Sequence, residues 1–164
     1  MRLSVLFLCM SSTLASASDM KPWSVVGDWE ILVDETTGSS CLAQKDFEDG
    51  TRVQIGFDVT RNGGFFAAYH RLWTQIVADE IGTAKFDFGD ARFAGDAIGK
   101  FSDGWPGGYA FFDNPDFVNE FAKRNAIKFS GESGVWFEVN LSGTRSAIDA
   151  LRVCQKAQPT ALFN

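Results

Sequence analysis

The residue best suited to acid or base chemistry in this 164-residue chain is His70, because no other histidine occurs. A histidine can act as general base for a serine nucleophile, with an aspartate to orient it. The sequence lacks the Gly-x-Ser-x-Gly motif that would mark such a nucleophile. The residues Gly131 to Gly134 (GESG) have a different spacing and predict a hairpin turn. We therefore expect His70 to be a surface or hydrogen-bonded residue near a strand end.

Carboxylates are the second group of candidate catalytic or metal-binding residues. Their spacing does not match a calcium-binding EF-hand loop, which needs alternating ligands, a central glycine and a final glutamate. Two carboxylates could also serve a glycoside hydrolase, but the sequence nominates no pair. We expect neither a metal nor a cofactor. The aspartates in question lie in the middle of the chain and are Asp87, Asp90, Asp96, Asp103, Asp113 and Asp116.

The cysteines predict a covalent link between the two ends of the domain. Cys9 lies in an N-terminal segment that we expect to be removed, which leaves Cys41 and Cys154. Two widely separated cysteines in an exported chain favour a disulfide over two free thiols. Cys41 begins a predicted strand, and Cys154 falls on the apolar stripe of a predicted helix. The chain has no Cys-x-x-Cys motif, so the sequence gives no support for disulfide-exchange catalysis.

The first 17 residues have the features of a secretory signal peptide. Arg2 supplies a positive charge, residues 3–10 (LSVLFLCM) are apolar, and residues 15–17 (ASA) form a small-residue cleavage site. The apolar stretch is too short to span a bilayer, which takes about 20 residues. We expect export to the periplasm or secretion, with residues 18–164 forming a single β-rich domain.

Composition indicates a packed, acidic domain. The chain is 45% hydrophobic and 14% aromatic, which is sufficient for a core and argues against disorder. Its formal net charge is −6, and lysine and arginine are scattered along it. Phosphate backbones would repel such a surface, so we expect no nucleic-acid partner. We also expect no transmembrane segment.

Alternation of apolar and polar residues predicts short antiparallel strands separated by glycine-containing turns. The clearest pattern lies in residues 51–59, where Val53, Ile55 and Phe57 share one side. Residues 105–108 (WPGG) are predicted to be a turn, because proline cannot donate a hydrogen bond within a sheet and glycines weaken strands. The other predicted strands are residues 29–34, 41–47, 65–73, 83–88, 91–98, 108–112, 127–130 and 135–141.

Two helices are predicted in the second half of the chain. Asn114 is a suitable N-cap with Pro115 at the first helical position. The last helix is predicted over residues 144–156, with apolar residues at helical spacing. Many short strands followed by two helices indicate a mainly β domain of the α+β type. We predict an antiparallel β-sandwich or a partly open barrel that the C-terminal helices pack against.

Three tryptophans form a candidate binding surface. Trp73 and Trp105 lie at or near predicted loops, and Trp136 is predicted to face away from Val135 and Phe137. Outward aromatic side chains on a sheet can stack on sugars or dock a protein partner. The alternative is that they belong to a second core layer beneath helices or another sheet.

Segments at both ends of the chain carry a family resemblance. They are residues 26–31 (VGDWEI), 41–44 (CLAQ) and 141–151 (LSGTRSAIDAL). Together they resemble the invasion-associated locus B family of exported bacterial proteins, which have a GDW strand, a CxLxQ-like strand and a closing LxGxxxA helix. The resemblance implies a small β domain of the periplasm or envelope, and it transfers no catalytic residue.

One position departs from the family pattern. Members of the family often carry a cysteine shortly after the GDW tryptophan, whereas this chain has Val33. The departure removes a competing partner and shifts the expected pairing of Cys41 toward Cys154.

The sequence thus predicts a non-enzymatic periplasmic or envelope domain that binds, or is accessory to, an envelope protein or glycan. One alternative is an envelope hydrolase that cleaves glycan or peptide with His70 or a carboxylate pair. The other is a purely structural envelope protein.

Overall fold

The computed structural model describes residues 20–114 and 117–159 of the chain. The predicted signal peptide and Pro115 lie outside the described residues. The described elements are β1 (Met20–Val26), β2 (Trp29–Asp34), β3 (Ser40–Asp46), β4 (Thr51–Asp58), β5 (Gly63–His70), β6 (Ile81–Asp87), β7 (Arg92–Ser102), β8 (Trp105–Phe112), α1 (Phe117–Ala122), β9 (Ala126–Ser130), β10 (Trp136–Asn140) and α2 (Thr144–Ala157).

All ten strands belong to one antiparallel sheet, in the order β1-β2-β3-β4-β5-β8-β7-β6-β9-β10. The sheet is open, with β1 and β10 at its two edges. Both helices lie in the C-terminal half of the chain. The predicted mainly β fold class is therefore confirmed.

The core lies on one face of the sheet, which we call the inner face. The final helix α2 packs on β1, β2 and β3, and the shorter α1 contacts β4 and β5 as well as α2. All four residues of the apolar stripe predicted for α2 are buried, namely Ala147, Ile148, Leu151 and Cys154. Burial of such side chains stabilises the fold by about 1.5–3 kcal/mol for each large residue.

The predicted disulfide is confirmed. Cys41 of β3 and Cys154 of α2 are bonded, and both are fully buried. Gln155 reinforces the same junction, because its side-chain oxygen accepts a hydrogen bond from the Cys41 backbone N–H (2.8 Å). The amide nitrogen of Gln155 donates to the Ser39 carbonyl (3.3 Å). The end of α2 is thus held on β3 by one covalent bond and two hydrogen bonds.

The opposite, outer face carries a smaller apolar cluster of Leu32, Leu42, Phe65, Ala67 and Tyr69. Polar residues beside it are paired. The side-chain amide of Gln54 donates to the Gln44 side-chain oxygen (2.7 Å) within the buried part of this face.

A single buried carboxylate, that of Asp58, organises the turn between β4 and β5. Asp58, which is 4% exposed, accepts hydrogen bonds from the hydroxyls of Thr60 (2.6 Å) and Tyr109 (3.1 Å). The Arg61 guanidinium also donates to it (2.7 Å). Burial opposes the ionisation of Asp58, but the bonds from Thr60 and Arg61 outweigh it and lower the pKa of Asp58.

The prediction of a turn at residues 105–108 is wrong, because these residues form the first half of β8. The chain reverses instead at Asp103 and Gly104, both of which have positive φ angles of 49° and 79°. Glycine adopts this conformation freely and aspartate tolerates it.

Proline and glycine are accommodated in β8 for separate reasons. Pro106 pairs with Phe101 of β7 and lies one residue before the pairing of β8 with β5 begins, at Gly107. Its missing N–H therefore costs no hydrogen bond to β5. A Cβ at Gly107 would lie 2.1 Å from the carbonyl oxygen of Ala68, so only glycine allows the two strands to approach here.

Removal of the disulfide should destabilise the domain strongly. The bond links residues 113 positions apart. In the chain-entropy model, closing a loop of this size stabilises the folded state by about 4–5 kcal/mol, because it restricts the unfolded chain. The double substitution Cys41→Ala/Cys154→Ala should lower the free energy of unfolding in urea by about this amount. Reductant should destabilise the wild-type protein and leave the double variant unchanged. Equal urea midpoints for the two proteins would contradict this expectation.

Stability should also depend on the ionisation of Asp58. Because folding lowers the pKa of Asp58, its contribution is present above the ordinary aspartate pKa and is lost as the pH falls through the folded value. The difference in unfolding free energy between wild type and Asp58→Asn should therefore shrink from about pH 6 to about pH 3. Urea titrations of both proteins across this pH range measure the difference. A difference that stays constant would argue against a lowered pKa of Asp58.

Candidate binding cavity

A cavity of about 510 Å³ opens on the inner face, within the size range of sites for small ligands. Its floor spans four neighbouring strands, β5, β8, β7 and β6. The residues there are glycine or alanine, which place at most one methyl group above the backbone, so the space remains empty. The floor residues are Ala68, Gly82, Ala84, Ala97, Gly99, Gly108 and Ala110.

Aromatic side chains form the walls of the cavity. Phe66 and Phe86 rise from β5 and β6, and their rings meet edge to face with centroids 5.3 Å apart. Trp73 lies against Phe137 (4.9 Å) and Phe129 (6.3 Å), and Phe129 in turn meets Phe66 edge to face (5.3 Å). Edge-to-face pairs at these distances are favourable, so the walls are stable without a ligand.

The rim of the cavity is apolar and exposed. Leu72 is 78% exposed and Ile81 68%, and Val77 and Val135 are also exposed. All four residues are among those that line the cavity. Contiguous exposed apolar residues around a cleft are typical of a site that binds a partner or ligand.

The connection between β5 and β6, residues 71–80, covers one end of the cavity. It is fastened to β7 through the backbone, because Asp79 N–H donates to the Gly99 carbonyl and Gly99 N–H donates to the Glu80 carbonyl, both at 2.8 Å. A Cβ at Gly99 would lie 1.9 Å from the Val77 carbonyl oxygen. The close approach of this connection to the floor therefore requires glycine at position 99.

His70 holds the start of the same connection. Its Nε2 lies 3.0 Å from the Asp49 carbonyl oxygen and must donate to it, so Nδ1 is the acceptor for the Leu72 N–H (3.1 Å). Both ring nitrogens are thus engaged by backbone groups. The geometry makes His70 a residue that positions residues 71–80 and leaves no free nitrogen for a general base.

Trp105 lies on the outer face, away from the cavity. Its ring is flanked by the guanidinium groups of Arg52 (4.7 Å) and Arg71 (4.5 Å). Arg52 is buried and donates to Asp46 (2.7 and 2.8 Å) and Asp103 (2.6 Å). The hydrogen bonds that Arg52 donates to Asp46 and, to a smaller extent, to Asp103 raise the pKa of Arg52 above its usual value despite burial.

The three tryptophans of the predicted binding surface thus occupy three different places. Trp73 lines the cavity, Trp105 stacks between two arginines on the outer face, and Trp136 stands on the edge strand β10 with 48% of its surface exposed. The structure brings only Trp73 to the cavity. A role for Trp105 and Trp136 in binding stays a prediction.

Three of the six central aspartates form ion pairs. Asp87 accepts from Arg92, Asp90 from Arg124 and Asp103 from Arg52. Over residues 20–114 and 117–159, no three or more His, Cys, Asp or Glu side chains gather as they would around a metal ion. Asp116 lies outside the described residues.

Sequence reasoning missed the cavity, although a signal for it exists. Ala84 follows Gly82, Gly99 follows Ala97 and Ala110 follows Gly108, each two residues along the same strand. Residues two apart face the same side of a strand. Small residues at alternate positions on adjacent strands therefore indicate a hollow on that side of the sheet, once the strand order is known.

Comparison with known proteins identifies the fold. The sequence matches no protein-family model and no curated protein sequence. The structure is similar to the crystal structure of invasion associated protein B from Bartonella henselae, with a TM-score of 0.55 and 11% identity. The match covers 81% of this chain and 97% of the other. The chain shares the fold of invasion associated protein B.

The likeness to invasion associated protein B supports the resemblance that the terminal motifs suggested. GDW spans the turn before β2 and its first residue, Trp29, CLAQ lies in β3, and LSGTRSA leads into α2, so the two ends meet where Cys41 and Cys154 are joined. At 11% identity the likeness to invasion associated protein B concerns the fold alone.

Substitution of Gly99 should detach residues 71–80 from β7. In Gly99→Ala the new methyl group would meet the Val77 carbonyl, so the two backbone hydrogen bonds to Asp79 and Glu80 should break. We expect amide hydrogens of residues 71–80 to exchange at least about tenfold faster, because this segment would open without global unfolding. Gly95→Ala on the same strand is the control, since a Cβ at Gly95 meets nothing within 4 Å. Equal exchange in the two variants would contradict the expectation.

Proposed function

We propose that this chain is an exported, non-enzymatic binding or accessory domain of the bacterial envelope, and that the cavity on its inner face receives an apolar group of the ligand. The observation that carries the proposal is the preformed hollow of about 510 Å³ with aromatic walls and an exposed apolar rim. Such a cavity is costly to leave in a core, where packing is normally dense.

Two observations support an extracytoplasmic location. The first 17 residues have the pattern of a secretory signal peptide. A buried disulfide of this kind persists in oxidising compartments and is rare in the cytosol. Separately, in the described part of the chain, no helix is both long enough and apolar enough to cross a membrane.

The arrangement of polar groups favours binding over hydrolysis. Both nitrogens of His70 are occupied by backbone groups, and the carboxylates of Asp46 and Asp103 converge on the guanidinium of Arg52. By contrast, the cavity wall contains Trp73, a residue type that provides large contact area for a ligand. Trp105 and Trp136 are proposed as additional contacts for a protein or glycan outside the cavity.

The apolar character of the cavity sets the expected energetics. Each methylene group of a ligand that moves from water into the cavity should make the binding free energy more favourable by about 0.8 kcal/mol. Because the walls are already in place, little ordering of the protein would oppose binding.

Filling the floor should abolish binding of an apolar probe. A Cβ at Gly108 would meet only the Ala97 methyl group, at 3.9 Å, so Gly108→Leu should fold and place its side chain in the cavity. With the neutral fluorophore N-phenyl-1-naphthylamine, we expect saturable binding to the mature wild-type protein. Binding should weaken at least about tenfold in Gly108→Leu, because the probe loses its contacts with the floor.

The matched control is Gly95→Leu, which adds the same side chain to an exposed position on β7 outside the cavity. It should bind the fluorophore as the wild type does. Circular dichroism would verify that both variants are folded. Failure of the wild type to bind the fluorophore, or equal binding by Gly108→Leu, would overturn the proposed site.

A further inference from the structure

One side of β6 is only partly paired. On one side it pairs with β7 along its whole length, from Ile81 to Asp87. On the other side it pairs with β9 through three residues alone, Lys85 with Ser130, Phe86 with Phe129 and Asp87 with Lys128. Strand β9 ends at Ser130 and the chain turns into β10. On the side away from β7, residues 81–84 therefore have no strand beside them in the described sheet.

The unpaired stretch borders the cavity. Gly82, Thr83 and Ala84 line it from β6, and the turn between β9 and β10, whose Glu132 side chain reaches Gly82, lines it as well. In an antiparallel sheet, alternate residues point both the N–H and the C=O group toward the same neighbour. Two of the four residues in 81–84 therefore present these groups on the open side, next to an apolar hollow.

The charged residues at this opening are acidic. Glu80 and Glu132 border the cavity, and in the described chain no lysine or arginine does so. The carboxyl group of Glu132 reaches over β6, since a Cβ at Gly82 would lie 3.2–3.3 Å from its side-chain atoms. An incoming ligand would therefore meet a negative charge at the edge of β6, and a positive group on the ligand would complement it.

We propose that the ligand is an extended peptide segment of a partner protein that adds as a strand along residues 81–84 of β6. One large apolar side chain of the peptide enters the cavity, and a neighbouring lysine or arginine faces Glu80 or Glu132. This inference rests on the proposed function of the cavity and specifies its ligand. Pairing with a free strand edge beside a side-chain pocket is a general mode of peptide recognition, in which backbone bonds give affinity and the pocket gives specificity.

The first experiment selects peptides on the mature protein. From a displayed library of random dodecapeptides, those that bind the wild type would be selected, and those that also bind Gly108→Leu would be removed. Gly95→Leu is the folded control. We expect enriched sequences with one large apolar or aromatic residue next to lysine or arginine. Glu132→Gln should weaken the best peptide by about two- to fivefold, as for a partly exposed ion pair.

The second experiment tests strand pairing with the selected peptide. Each backbone amide of the peptide would be N-methylated in turn. Because every second N–H of an added strand faces β6, methylation should weaken binding by about tenfold at alternate positions and have little effect between them. Nuclear Overhauser contacts between the peptide and residues 81–84 of labelled protein should follow the same alternation.

The outcomes separate this inference from the proposed function. Binding of N-phenyl-1-naphthylamine or palmitate that Gly108→Leu blocks, without enrichment of any peptide, would overturn the peptide and retain the cavity as an apolar site. A peptide that binds without alternation, or without contact to residues 81–84, would overturn strand addition. Failure of both the fluorophore and the peptide library would overturn the two proposals together.

Discussion

The packing of α2 against β1, β2 and β3 is the constraint on which the rest of this fold depends. An open antiparallel sheet has to bury its apolar face, and here one 14-residue helix does so for the first three strands. The short helix α1 extends the cover to the centre, where Phe117 touches Phe112 and Phe86. Two helices of this length do not reach over the whole inner face.

The remainder of that face is closed by other means, and the cavity is the result. Residues 71–80 lie over β7 at Gly99, and the turn between β9 and β10 approaches β6 at Gly82. These segments bring Ile76 against Gly99 and Glu132 against Gly82, whereas a Cβ at Gly108 would meet only the Ala97 methyl group within 4 Å. The hollow thus arises where helix cover ends and irregular chain takes over, at strands that carry glycine and alanine.

Much of the architecture could be predicted from the sequence. Alternation over residues 51–59 gave a strand close to the observed β4, and helical spacing placed α2 within one residue of its end. Cys154 was placed on the buried stripe of that helix because apolar periodicity there is strong. These are local signals, and they survive in the fold because the core reinforces them.

Other features depend on contacts between distant strands and were missed for that reason. Pro106 favours a turn in the sequence alone. The structure accommodates it in β8 because the pairing of β8 with β5 begins only at the next residue. The contacts of Trp73 with Phe129 and Phe137 could not be predicted, because those two residues lie more than 50 positions further along the chain. The cavity itself requires the order β5-β8-β7-β6, which brings small residues from four strands together and is not encoded in any one segment.

The bond between Cys41 and Cys154 has a consequence in time as well as in space. Its second cysteine follows the first by 113 residues, after every strand of the sheet. The bond cannot form while the ribosome is still making the strands. Formation of this bond therefore marks a chain in which every strand of the described sheet has already been made.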